Sequence, residues 1–286
     1  MKKKLKAPFP YHGGKSRAAA LIWDRFGEIN TYVEPFCGSL AVLLANPSGS
    51  IPWEIVNDID GLLINFWRAV KNEPETVAEI AEAPSTEVDL RARHNWVYRE
   101  KDWILEALKE IPSFYSARAA AYWVYVQASA VNTRGLFQEK LGDRVPQLSS
   151  PNGIHSKSRR GNLVQIFNEL SDRLRGSRIC CGDWSRVVTN ASIVYNTTPT
   201  GIFLDPPYVS KSYDGGVYEH SDSVFNDVLA WAIDKGDDDR FRIALCGYEG
   251  ADIPDSWETV SWKRATGQTN NTTKERVWFS PHCLGV

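Results

Sequence analysis

Short apolar segments that alternate with helix-like segments are the feature that most constrains the fold of this chain. Trp53–Asp58 and residues 201–204 have the length and apolar content of buried strands. Residues 62–70 and Leu163–Leu174 carry apolar side chains at helical spacing. Such alternation is typical of α/β proteins, in which a mostly parallel sheet has helices on both faces.

The middle of the chain interrupts this alternation. Residues 72–115 are charged and helix-prone, and residues 117–130 are rich in alanine and aromatic side chains, as in a buried helix. Residues 131–161 are rich in Asn, Gly, Ser, Lys and Arg, which indicates a loop or an irregular hairpin. We therefore expect an inserted, mainly helical domain within the α/β domain.

Composition limits the class of protein. The fractions of 43% hydrophobic and 24% charged residues are ordinary for a soluble protein, and no apolar run approaches the roughly 20 residues that span a bilayer. The five cysteines show neither a C-x-x-C pair nor zinc-site spacing, so we expect reduced thiols and no metal site. A net charge of −2 means that a nucleic acid would have to bind at local basic patches.

The most specific motif is Asp205-Pro206-Pro207-Tyr208, directly after the apolar residues 201–204. Proline fixes φ and has no N–H, so this turn is rigid and its carbonyl groups remain available as acceptors. A carboxylate and a carbonyl can accept hydrogen bonds from the two N–H groups of an amino group on a planar base, while the tyrosine ring stacks on the base. We predict this function over a simple strand-ending turn.

A second motif, residues 34–39, lies between a predicted strand and the helix-like run of residues 40–45. Gly38 permits close approach to a ligand, but the motif is not G-x-G-x-x-G and does not indicate a pyrophosphate. Asp58 ends the next strand, where Rossmann-type proteins bind ribose hydroxyls; capping of a helix at residues 59–70 is an equal alternative. Together the motifs favour a nucleoside without phosphates.

The fragment Gly14-Lys15-Ser16 does not form a Walker A motif, because Phe9 stands where that motif requires glycine and no strand precedes it. Binding of ATP is therefore rejected. A Gly-Gly turn ahead of a helix, with Lys15 beside it, could instead bind a carboxylate through backbone N–H groups and a positive charge.

Five segments, in one order along the chain, resemble the Dam-like (D12-class, α-order) DNA adenine-N6 methyltransferases. They are residues 8–15, 32–39, 56–60, 182–184 and 205–208, and residues 274–279 are similar to the family's last strand. The resemblance implies a Rossmann-like, mostly parallel methyltransferase sheet with an inserted target-recognition domain. It also implies transfer of a methyl group from S-adenosylmethionine to adenine N6 in a specific sequence of duplex DNA, with base flipping.

The resemblance implies roles for individual residues. Lys15 would bind the methionine carboxylate, Asp58 the ribose hydroxyls and Asp183 the adenine amino group of the cofactor. His12 departs from the small residue that is usual in the family, and Trp184 from Phe or Tyr. The catalytic candidates are Asp205, Pro206, Pro207 and Tyr208. The cofactor-binding candidates are Tyr11, Gly14, Lys15, Glu34, Phe36, Gly38, Asp58, Asp183 and Trp184.

In this family the segment between the ribose-binding aspartate and the Gly-Asp motif carries target recognition. The resemblance thus implies a catalytic domain of residues 1–62 and 161–286 and a recognition domain of residues 63–160. Five polar or basic residues of that segment can contact phosphates or base edges, although a solvated basic loop is the simpler alternative. The DNA-binding candidates are Asn132, Arg134, Lys157, Arg159 and Arg160.

We expect double-stranded DNA as the partner, with neither a membrane nor a metal involved, and a monomer or weak dimer. The expected setting is the cytoplasm of a bacterial or phage-infected cell, for instance within a restriction-modification system. Cytosine N4 offers the same amino geometry, although Asp rather than Ser at position 205 favours adenine. RNA or a protein glutamine, and a catalytically silent nucleic-acid-binding module, are further alternatives. The silent module is disfavoured by four intact residues: Lys15, Asp58, Asp183 and Asp205.

Overall fold

The computed structural model of this protein describes residues 5–11, 15–129, 153–156, 159, 161–193, 199–207, 218–261 and 275–285. The helices are α1 Ala19–Phe26, α2 Gly61–Asn72, α3 Pro74–Ala81, α4 Glu87–Glu110, α5 Ala117–Ser129, α6 Leu163–Leu174, α7 Asn190–Ile193 and α8 Tyr218–Gly236. The strands are β1 Thr31–Glu34, β2 Trp53–Asp58, β3 Ser177–Cys181, β4 Thr200–Leu204, β5 Phe241–Tyr248, β6 Glu258–Ser261 and β7 Glu275–Phe279. Among these residues, no helix is both long and apolar enough to cross a membrane.

The strands form a seven-stranded sheet in the order β3-β2-β1-β4-β5-β7-β6. Strand β1 is parallel to β2 and to β4, and β4 is parallel to β5. Strand β7 is antiparallel to both β5 and β6. The expected α/β fold with a mostly parallel sheet is confirmed. The strand order reverses direction between β1 and β4, and α/β proteins bind ligands at the carboxyl ends of the strands at such a point.

The chain divides into two compact units. Unit 1 comprises Met1–Ser16, Gly38–Ala45 and Asn57–Asp183, and unit 2 comprises Arg17–Cys37, Asn46–Val56 and Trp184–Val286. These bounds differ from the expected catalytic and recognition domains, because unit 1 includes segments on both sides of residues 63–160. The division by function therefore stays a prediction.

The core of unit 1 is built around α2, which is buried along most of its length. Phe66 and Trp67 of this helix pack against Phe9, with ring centroids 5.3 and 5.7 Å apart. Trp123 of α5 completes the cluster at 4.9 Å from Phe9. Gly61 begins α2 where a Cβ atom would lie 2.3 Å from a methyl group of α4, so the two helices meet closely there.

The core of unit 2 is the apolar interior of β1, β4 and β5. Helix α1 covers this interior with Ile22, Trp23 and Phe26, and both aromatic rings pack on Tyr32 of β1. Gly201 in β4 allows this contact, because a Cβ atom there would lie 2.9 Å from the Phe26 ring. Strands with so little polar content are those of a parallel sheet buried on both faces.

Two sequence-based expectations for secondary structure were wrong. Residues 40–45 form only a short 3-10 helix, Leu43–Ala45, because Gly38 and Leu40 have φ angles of 44° and 54°. Left-handed backbone at two positions so close together cannot belong to a right-handed helix. The edge strand β6 was also missed, because its four residues contain a single aliphatic side chain and gave no apolar signal.

Candidate active site

In unit 1, Gly38 contacts two of the other predicted cofactor residues. Its N–H donates to Asp58 Oδ2 at 2.9 Å, and its carbonyl accepts from Trp67 Nε1 at 2.9 Å. Its φ angle is 44°, and a Cβ atom there would lie 2.6 Å from Tyr11 Cε1. Glycine is therefore required at this position. The structure thus brings Tyr11, Gly38 and Asp58 together.

The helix that follows Asp58 is capped by another aspartate. Asp60 accepts from the N–H groups of Leu62 and Leu63 at 3.0 and 3.2 Å, which makes it the N-cap of α2. The carboxylate of Asp58 instead accepts from Gly38 N and, through Oδ1, from Asp60 N at 3.0 Å. The structure therefore does not support the capping alternative for Asp58.

Both of these carboxyl groups have raised pKa values. Burial raises the pKa of Asp58 above its ordinary value, and the N–H bonds from Asp60 and Gly38 act in the opposite direction. Burial also raises the pKa of Asp60, to about 6, with the N–H bond from Leu63 opposing the rise and the charge of Asp58 adding to it. Perturbed carboxyl groups at a strand end are typical of functional sites.

Asp183 follows a turn that is fixed to the end of β2. Gly182 N donates to the Asp58 carbonyl at 3.0 Å, and Asn57 Nδ2 donates to the Gly182 carbonyl at 2.9 Å. The φ angle of Gly182 is 142°, which favours glycine. Asn57 had no assigned role in the sequence analysis. Its signal was a polar residue within an apolar strand, and its side chain is only 2% exposed.

Ile59 is a second residue that sequence reasoning missed. Its side chain is 77% exposed although it lies between two half-buried aspartates. Lys15, in contrast, is 4% exposed. A lysine is rarely buried to this extent without polar or anionic neighbours.

In unit 2, the motifs that follow β1 and β4 lie on neighbouring parallel strands. Val33 is paired with Ile202, so Glu34 and Asp205 lie at the carboxyl ends of their strands. Glu34 is 1% exposed and accepts a hydrogen bond from the Tyr32 hydroxyl at 2.9 Å. Within the turn after β4, Asp205 is half-buried, the first proline is buried and the second is exposed.

Two predicted cofactor residues of unit 2 form an aromatic pair. Phe36 stacks on Trp184 with ring centroids 6.2 Å apart and an interplanar angle of 30°. Trp184 also makes an edge contact with Trp231 of α8. This second indole supports the orientation of the first, so the pair has a fixed geometry.

The sequence matches the family model for D12 class N6 adenine-specific DNA methyltransferases over residues 11–226, well over half of the chain. The chain belongs to this family. It is therefore an adenine-specific DNA methyltransferase, and the resemblance inferred from the motifs is confirmed. A comparison with curated proteins gave no match.

Several predicted residues of this methyltransferase lie outside the described residues: Gly14, Asn132, Arg134, Lys157, Arg160 and Tyr208. Arg159 is described and is only 9% exposed, and burial lowers its pKa. A guanidinium with so little exposed surface does not favour the predicted contact with a phosphate. Among the described residues, no group of three or more His, Cys, Asp and Glu side chains could hold a metal ion.

Proposed function

We propose that this enzyme uses S-adenosylmethionine as its methyl donor and methylates an adenine that is flipped out of duplex DNA. The observation that carries the proposal is the position of Asp205 and Pro206 at the carboxyl end of β4, next to the end of β1. The sheet reverses its strand order there, which is where α/β proteins bind ligands.

The residues around Gly38 fit a nucleoside without phosphates. Gly38 donates its N–H to Asp58, so this turn does not offer that group to a phosphate. An ionised carboxylate has about four acceptor sites. Asp58 accepts from Gly38 N and Asp60 N, and the N–H of Ile59 also stabilises this carboxylate, which leaves part of its acceptor capacity for ribose hydroxyls.

We further propose how the chain holds the two ends of the cofactor. Lys15 binds the carboxylate of the methionine end, and Asp183 accepts from the adenine amino group. Ile59 offers an exposed apolar surface to the adenine ring. The remaining cofactor residues of the proposal are Tyr11, Gly14, Glu34, Phe36, Gly38, Asp58 and Trp184.

Bound S-adenosylmethionine supplies an electrophilic methyl group on its sulfonium. The amino group of adenine is a poor nucleophile, because its lone pair is delocalised into the ring. In the proposed mechanism, the Asp205 carboxylate and the Pro206 carbonyl each accept a hydrogen bond from one N–H of this amino group. These hydrogen bonds draw the nitrogen toward tetrahedral geometry and free the lone pair for in-line attack on the methyl carbon. The bond from this carbon to sulfur breaks, S-adenosylhomocysteine would leave, and the surplus proton of the nitrogen is lost to solvent. Positioning and preorganised acceptors supply most of such a rate enhancement.

The target base takes its remaining contacts from the rest of the motif. Pro207 keeps the turn rigid, and the ring of Tyr208 stacks on the base, which offsets part of the cost of unstacking it from the duplex. We also propose that residues 63–160 recognise the DNA sequence. The residues proposed to contact the DNA are Asn132, Arg134, Lys157 and Arg160.

The test is incubation with tritiated S-adenosylmethionine and genomic DNA that lacks adenine methylation, followed by nucleoside analysis. We expect the label in N6-methyladenine. Asp205→Ala should abolish transfer but leave the affinity for S-adenosylhomocysteine unchanged, because Asp205 holds the target base. Asp24→Ala, which removes an exposed carboxylate of α1, is the control and should retain full activity. Label in N4-methylcytosine, or an Asp205→Ala variant that no longer binds the product cofactor, would contradict the assignment.

A further inference from the structure

We propose that Trp67 is a positioning residue for the cofactor, acting through Gly38 on Asp58. The inference rests on the proposed function, in which Asp58 binds the ribose hydroxyls. Trp67 has no place in the motifs of the sequence, since it lies within α2 and looks like one more apolar core residue.

Gly38 is held on both sides of its backbone by side chains. Its N–H donates to Asp58 Oδ2 and its carbonyl accepts from Trp67 Nε1, each at 2.9 Å. The partners are 20 and 29 residues away in sequence, one at the end of β2 and the other in α2. The conformation of this turn therefore depends on tertiary contacts, with a φ angle of 44° that only glycine adopts readily.

The bond from Trp67 is made in a dry environment. The Trp67 side chain is fully buried, with 0% exposure. If the indole N–H were removed, water could not easily reach this site to donate in its place. The Gly38 carbonyl would then be left buried and unsatisfied. The turn would then populate other conformations, in which Gly38 N–H no longer orients Asp58.

Loss of this bond should weaken cofactor binding by conformational selection. The apparent Kd rises in inverse proportion to the fraction of molecules in the competent conformation. We expect an increase of about tenfold in Kd, which corresponds to a competent fraction of about one tenth. This fraction is reached when loss of the bond and the unsatisfied carbonyl together place the other conformations about 1.4 kcal/mol below the competent one. The turnover number at saturating cofactor should not change, because Trp67 does not touch the reacting atoms in the proposed mechanism.

Trp123 provides a matched control in the same cluster. Its side chain is 2% exposed and, like Trp67, it packs on Phe9 and Phe66. Its indole N–H, however, has no hydrogen-bond partner among the described residues. Replacement of either tryptophan by phenylalanine removes the same volume from the same core, but only the change at Trp67 removes a hydrogen bond.

The experiment measures binding of S-adenosylhomocysteine and of 5′-methylthioadenosine to the full-length protein by calorimetry. In Trp67→Phe, the Kd of both ligands should rise about tenfold, because both carry the ribose that Asp58 holds. Trp123→Phe should change neither Kd by more than about twofold. The KM for S-adenosylmethionine should rise in Trp67→Phe at unchanged kcat. If Trp67→Phe does not fold, site-specific replacement of Trp67 by benzothienylalanine removes the N–H and keeps the bicyclic shape.

Three results would overturn the inference. The first is wild-type affinity in the Trp67 variants, and the second is an equal loss in Trp123→Phe, which would indicate general loosening of the core. The third is weaker binding of S-adenosylhomocysteine alone, which would place the defect at the amino-acid end. A wild-type protein that binds neither ligand would instead contradict the proposed function.

Discussion

The carboxyl group of Asp60 should make the stability of the folded protein depend on pH. Its carboxyl group caps α2 by accepting from Leu62 N and Leu63 N, yet burial raises its pKa from 3.8 to about 6. The ionised form is therefore disfavoured in the folded protein even though it caps the helix. The variant Asp60→Asn keeps an oxygen that can accept the same N–H bonds, but it carries no charge.

The magnitude follows from the two pKa values. The folded protein binds the proton more tightly than the unfolded chain, so the stability contributed by this group is complete below pH 4 and is lost as the pH rises through about 6. At pH 7.5 the loss is about 3 kcal/mol, since a tenfold change in proton affinity is about 1.4 kcal/mol. This figure already includes the favourable hydrogen bonds from the helix N–H groups, because those bonds oppose the rise in pKa. Asp60→Asn should therefore gain about 3 kcal/mol at pH 7.5.

Thermal unfolding followed by circular dichroism can detect this gain. For a chain of 286 residues, about 3 kcal/mol corresponds to a rise in Tm of roughly 5 °C, since the unfolding entropy is about 2.1 cal/mol/K per residue. The gain should shrink toward zero at pH 4, where the wild-type carboxyl group is protonated. Asp60→Ala, the control, loses the cap as well and should be about 1 kcal/mol less stable than Asp60→Asn. An unchanged or lower Tm of Asp60→Asn at pH 7.5, or a gain that is the same at pH 4, would refute the reasoning.

Three further substitutions test other parts of the structure. Gly38→Ala should raise the KM for S-adenosylmethionine at least about tenfold, because left-handed backbone is costly for alanine and the new methyl group would lie 2.6 Å from a tyrosine ring; initial rates measure this. Asn57→Ala removes the bond to the Gly182 carbonyl and should weaken binding of S-adenosylhomocysteine in calorimetry without abolishing methyl transfer. Glu258→Gln disrupts an ion pair in which Arg25 donates two hydrogen bonds to Glu258. The two side chains are 23% and 25% exposed, so the free energy of unfolding should fall by about 1 kcal/mol, as measured by thermal unfolding, while activity stays normal.

The strands and helices were largely predictable because their signals are local. The apolar run before Asp205 and the helical spacing of Leu163–Leu174 each identify an element within a few residues. The prediction of a helix at residues 40–45 was wrong for a reason that lies in the local backbone. The run is small and aliphatic, as in a helix, but positive φ angles at Gly38 and Leu40 break it.

The sequence predicted which residues belong to the candidate site, but not most of the contacts between them. The sequence identified Gly38 and Asp58 but did not indicate that they bond to each other. The hydrogen bonds by which Asn57 and Trp67 hold Gly182 and Gly38 could not be predicted, because a polar residue in an apolar strand or an indole in a helix does not identify its distant partner.

The sequence by itself determined the α/β class, the family and the chemistry-bearing residue types, because strand ends and their polar motifs are contiguous in the chain. Only the tertiary structure decided which aspartate caps α2 and which carboxylate receives the Gly38 N–H. It also decided that Arg159 is buried. These properties depend on segments that are distant in sequence, whose partners are chosen when the helices and strands pack together.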